Sequence, residues 1–165
     1  MSVKLIMVLA SLGLLIGYLV YSFIVFGGLT PSVSDTYHYH KERGKGAWMF
    51  TAVLAICAAT IMPILLGASS EGTEFLAYLA CAATIFVAVA PNYNMPLTYE
   101  VHFGAAVVAC VTAFAWCLST EYWYLSCIVF GVCLSLCVVK PKCWLLFVEL
   151  GVLLSLYLTL ATILA

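Results

Sequence analysis

This sequence predicts an all-α, polytopic membrane helix bundle, and three observations predict it. The chain is 66% hydrophobic and only 8% charged, where a soluble domain carries about 25% charged residues. Its apolar residues gather into six runs separated by polar stretches. Each run approaches the ~20 residues that a helix needs to cross the hydrocarbon core. In lipid every backbone group must be satisfied internally, which a helix achieves within one segment. The 165 residues suit a single transmembrane domain over 1–165. The formal net charge of −1 and the lack of a long basic run argue against a nucleic-acid partner.

The first helix is expected over about 3–26. Lys4 followed by an apolar stretch resembles a signal peptide. The stretch continues to Phe26, however, and no Ala-x-Ala site follows it, so a retained helix is expected. Gly13 and Gly17 form a Gly-x-x-x-Gly pair, expected to pack inside the bundle because small residues let helices approach closely. The second helix is expected over 48–67, with Pro63 kinking it or marking its end. The third and fourth, over 75–90 and 102–118, are short for a span. The fifth and sixth follow over 123–139 and 144–164. Trp48, Trp123 and Trp144 stand at the predicted interfaces, where amphipathic rings are favoured.

Six crossings put the first, third and fifth connections on one side of the membrane. That side holds Lys41, Arg43, Lys45, Lys140 and Lys142, and the other only Lys4. Basic residues favour the cytoplasm, so the odd loops are expected there and both termini outside. The eight cysteines form no Cys-x-x-Cys pair, and all but Cys143 fall inside apolar runs. They are expected to be packing residues rather than a disulfide framework.

Candidate chemistry gathers on the odd-loop side. Glu149 sits inside the last apolar run. A carboxylate facing lipid near a helix centre costs roughly 2.5–3.5 kcal/mol, so Glu149 is expected to face protein, a partner group or water. Asp35, in Pro-Ser-Val-Ser-Asp-Thr, suits a turn or helix N-cap, or a carboxylate aimed into the bundle. His102 opens the predicted fourth helix, and Gly104, Ala105 and Ala106 beside it permit a close neighbour. Asp35, His102 and Glu149 are expected to converge, as an acid–base set or as ligands of a divalent metal such as zinc. Three such ligands match a catalytic zinc site with an open position. Ser34, Asn92, Asn94 and Glu100 share that face. His38 and His40 could bind a metal only on an extended segment, and a solvated loop pair is the expected state.

At these residues the chain resembles the Frag1/DRAM/Sfk1 family of six-helix membrane proteins. Pro31-Ser32-Val33-Ser34-Asp35-Thr36 looks like the family's Pro-x-Ile-Ser-Asp-Thr. Asn92-Tyr93 with His102-Phe103-Gly104-Ala105 looks like its Asn-Phe and His-x-x-Gly-Ala. Glu149 lies where the family has an acidic residue, although Leu150 replaces the expected aromatic. Tyr37 stands where Gly usually follows Ser-Asp-Thr, so only Ser34, Asp35, His102 and Glu149 carry over, and His38 and His40 inherit no role. The resemblance implies a protein acting on or sensing membrane lipid, and, if an enzyme, one for hydrolysis or acyl transfer. It also implies an extracytoplasmic Ser-Asp-Thr loop, against the basic-residue bias. That rule counts basic residues rather than net charge, so the cytoplasmic placement is kept. The alternative is a non-enzymatic scaffold or a small-solute or proton transporter, in which the same residues fix packing or relay protons.

Overall fold

The computed structural model describes residues 2–90 and 96–165. Among them seven α-helices and one 3₁₀ turn are formed, and no strand. The helices are α1 (Val3–Phe26), α2 (Asp35–Glu42), α3 (Trp48–Ala68), α4 (Glu74–Val89), α5 (Pro96–Leu118), α6 (Trp123–Val139) and α7 (Trp144–Leu164), with the 3₁₀ turn at Pro141–Cys143 before α7. Four of the described segments are long and apolar enough to cross a membrane: α1, α3, Thr98–Leu118 of α5, and Pro141–Leu164. The apolar helices α4 and α6 are shorter. The chain has the character of a multi-pass membrane protein.

The most extensive packing joins α4 to α5 and α6 to α7, while α3 packs on α1 and α4. Helix α7 also meets α1 and α5. Phe50, Leu65, Trp116, Leu146, Tyr157 and Leu160 are fully buried along this seam. The outward faces are apolar as well: Ile24, Ile56, Phe86, Val111, Ile128 and Val138 are all exposed. Water would oppose such a surface, and lipid tails do not. Polar bonds tie the helices internally. Ser11 Oγ lies 2.6 Å from Tyr157 Oη across α1 and α7. Ser126 and Thr159 are paired at 2.9 Å across α6 and α7, and Trp116 Nε1 donates to Ser69 Oγ at 2.8 Å.

Several boundaries differ from the sequence expectation, each for a local reason. The first connection contains a helix, α2, because Ser32 acts on its first turn: Asp35 N donates to Ser32 Oγ at 3.0 Å and Ser32 Oγ donates to Asp35 Oδ2 at 2.9 Å. This local side chain–backbone bonding fixes the chain at the entry to α2. Helix α5 begins at Pro96 rather than 102, a residue suited to a first helical position, so His102 lies within the helix instead of opening it. Helix α3 continues through Pro63 to Ala68, so Pro63 does not end it.

Gly13 and Gly17 do not pack inside. Both are exposed, and a Cβ at either would meet no atom within 4 Å. Helix α1 buries Val8, Ser11, Leu15, Tyr18, Leu19 and Ser22, a stripe at helical spacing that leaves both glycines on the outer face. All eight cysteines are free thiols. Four of them, Cys57, Cys81, Cys117 and Cys133, are buried in the packing role expected of them.

Candidate functional site

One end of the bundle is organised by the segment 30–34, which is pinned to the first turns of α7. Leu146 N donates to Pro31 O at 2.9 Å. One helical turn further, Glu149 Oε2 accepts the backbone N–H of Val33 at 2.6 Å. The first amides of a helix have no partner within it, so a carbonyl from outside is a natural acceptor for Leu146. Thr30 Oγ1 donates to Ser32 O at 2.7 Å and tightens the same turn. Glu149 thus faces protein, as its cost in lipid requires. Its partner is the backbone of the first connection.

The pinned segment delivers Ser34 to α5. Ser34 is the N-cap of α2, yet its hydroxyl caps nothing. Instead Ser34 Oγ lies 2.9 Å from His102 Nε2. The other ring nitrogen, Nδ1, lies 2.9 Å from Ala90 O, at the end of α4. A carbonyl oxygen only accepts, so Nδ1 carries the hydrogen in the neutral ring. Nε2 then presents a lone pair, and the Ser34 hydroxyl donates to it. Both residues are buried. Three separate elements therefore define the pair: α2 supplies the hydroxyl, α5 the imidazole and α4 the carbonyl that orients it.

Asp35, His102 and Glu149 line a common groove of about 450 Å³ between α5 and α7, together with Ser32 and Ser34. Its other walls include Phe103, Val107, Val111, Trp144 and Val148. Phe103 is 53% and Val111 61% exposed, so the groove opens sideways through the apolar surface. Ser34, Ala106, Cys110 and Glu149 also line a second cavity of about 90 Å³. It runs into the bundle between Leu15, Cys81 and Tyr157, and its lining is almost entirely apolar.

Among the described residues no group of three His, Cys, Asp or Glu side chains is placed to hold an ion. Glu149 accepts from Val33 N, Asp35 accepts from Ser32, and His102 meets Ser34 and Ala90. Glu100 is exposed and does not line the groove. Asn92, Tyr93 and Asn94 lie outside the described residues.

His38 and His40 are not a solvated loop pair. They lie on α2, where residues two apart point in different directions. His40 is fully buried. Its ring stacks on Tyr21 with centroids 5.5 Å apart and 9° between planes, and Phe26 stands 4.7 Å away. Ser22 Oγ donates to Tyr18 O at 2.9 Å, so it accepts from His40 Nε2 at 3.0 Å. Tyr18 Oη and Thr36 Oγ1, 2.7 Å apart, complete this clasp between α1 and α2. Arg43 closes its edge by donating to Val25 O, its guanidinium 5.3 Å from the Phe26 ring centre.

Sequence reasoning missed the Ser34–His102 bond and the burial of His40. The Ser and Asp residues of segment 32–35 favour local bonding that can start a helix, but no spacing signals which imidazole a serine will meet 68 residues away. Compared with known proteins, this chain matches no family model, no curated protein and no solved structure.

Proposed function

We propose that this chain is a multi-pass membrane protein that acts on or senses membrane lipid, binding it in the groove between α5 and α7. The carrying observation is the shape of that groove. Its inner end holds Ser32, Ser34, Asp35, His102 and Glu149, while its outer walls are apolar side chains on the exposed surface. A lipid has the same polarity pattern, a polar group attached to chains that prefer hydrocarbon. The volume suits a small-molecule site, for which pockets run ~300–1,000 Å³. In this reading α4 and α6 cross the bilayer with the other four spans, giving six crossings and placing the 30–34 segment and the Pro141–Cys143 turn at one interface. The Frag1/DRAM/Sfk1 resemblance points the same way through Ser34, Asp35, His102 and Glu149. A solute or proton path is less well supported, because the inner cavity offers almost no polar lining.

The test is photo-crosslinking in bilayers containing a phospholipid with a diazirine in its acyl chain. Labelled peptides should concentrate on 99–111 and 144–149, and Val107→Trp, which fills the groove, should reduce labelling there several-fold. Uniform labelling of all outward faces, unaffected by Val107→Trp, would sink the lipid reading.

A further inference from the structure

We infer that Ser34 and His102 form a nucleophile–base pair that cleaves a carboxylic ester of a membrane lipid held in the α5–α7 groove. The inference rests on the lipid reading and deepens it by assigning the chemistry.

A serine hydroxyl is a weak nucleophile until a base takes its proton, and the base works only in the right tautomer. Here the tautomer is set by the chain itself. The Ala90 carbonyl holds the hydrogen on Nδ1 and turns Nε2 toward Ser34 Oγ, 2.9 Å away. Nucleophile, base and orienting group thus stand in the relation that activated serines require, with a carbonyl as the orienter. Ordinary capping would have used the Ser34 hydroxyl on α2, and it does not. Asp35, the next residue, lines the same groove as the pair. Both members of the pair line the groove, so an ester seated there meets them from its open side.

The step balances with water as the only co-reactant. The Ser34 O–H bond breaks and its proton moves to His102 Nε2 as Oγ bonds to the ester carbonyl carbon. In the tetrahedral adduct the former carbonyl oxygen carries the negative charge, which returns to form the carbonyl as the adduct collapses. Collapse breaks the ester C–O bond, and the leaving alcohol takes the proton from His102. Ser34 is left acylated. Water then attacks the acyl carbon, gives a proton to His102, and releases the fatty acid as the proton returns to Ser34. Glu149 is a positioning residue in this scheme: through Val33 N it holds the backbone that carries Ser34.

The test uses the full chain in lipid nanodiscs and a fluorophosphonate with a long alkyl chain. Attack at phosphorus releases fluoride and leaves a stable adduct that tandem mass spectrometry locates. The adduct is expected on Ser34 of the wild-type chain. Its rate should fall about 10²-fold or more in His102→Gln, the scale of a lost general base, while thermal unfolding of that variant shows the fold retained. No adduct on wild-type Ser34, or equal labelling in a folded His102→Gln chain, would overturn the inference. The photo-crosslinking lipid separates the two readings. If it still labels the groove while Ser34 stays unmodified, the ester chemistry falls and lipid binding stands. If groove labelling is absent, lipid binding falls too.

Discussion

Glu149 and His40 show how much one buried polar side chain can decide. Glu149 accepts a single backbone N–H, that of Val33, and the amide oxygen of glutamine can accept the same bond. Glu149→Gln should therefore leave segment 30–34 in place. Glu149→Leu strands the Val33 N–H, at a local cost of ~1–3 kcal/mol for an unsatisfied buried group. Hydrogen exchange of the Val33 amide should quicken about tenfold or more in Glu149→Leu and stay near wild type in Glu149→Gln. Fast exchange in both variants would contradict the clamp.

His40 makes a pH prediction. Burial, and after it the Arg43 charge, lowers its pKa below the usual histidine value. The geometry agrees: Nε2 already donates to Ser22, and Nδ1 has no hydrogen-bond partner, so a second N–H would be buried without an acceptor. The unfolded chain then binds the proton first. Stability is fully present above the unfolded pKa, about 6.5, and is lost as pH falls from there toward the lower folded value. Thermal unfolding in detergent should show a lower Tm at pH 5.5 than at pH 7.5, with the difference reduced in His40→Gln. An identical pH response in the variant would remove His40 as its source.

At the scale of elements, α6 and α7 approach closely at Gly151. A Cβ there would lie 2.8 Å from Phe130 Cδ2 and 3.0 Å from Cys133 Cβ, too near for either to stay put. Overpacking of this kind costs roughly 1–3 kcal/mol. Gly151→Leu should lower the unfolding temperature by several degrees, whereas Gly17→Leu, into open space on α1, should leave it within about a degree. Equal losses at both positions would contradict this packing. The contrast also marks what spacing can reveal. Gly13 and Gly17 carry the familiar Gly-x-x-x-Gly pair yet face outward, while Gly151, four residues before the buried Ser155, lies at the contact. Motif spacing places residues on one face of a helix, but the neighbouring helix decides whether that face is used. The α2 helix was legible in Ser32 and Asp35 once their bonding is considered. The early start of α5 was signalled by Pro96.

For the whole molecule, the arrangement gathers residues 30–45 and the Pro141–Cys143 turn at one end of the bundle, through the Pro31–Leu146 and Val33–Glu149 bonds. We propose that this end faces the cytoplasm, following its five basic residues. Lys45 and Glu71 are exposed at opposite ends. In a cysteine-depleted chain, a membrane-impermeant maleimide applied to intact cells should label Glu71→Cys and leave Lys45→Cys unlabelled until the cells are permeabilised. The reverse pattern would invert the orientation and favour the one the family resemblance implies.

The sequence by itself determined the solvent and the class of fold. Apolar runs of helix length with few charges can satisfy their backbone in lipid only as helices, and this follows from composition and period. It also determined that Glu149 must turn inward, since the cost of exposing a carboxylate to lipid does not depend on its neighbours. Tertiary structure alone decided what Glu149 turns toward. It decided as well that Ser34 meets His102, that Ala90 sets the imidazole's tautomer, and that His40 is enclosed by α1. Each of these is a bond between distant residues, fixed by how the helices pack, and side-chain period along one helix carries no record of its partner.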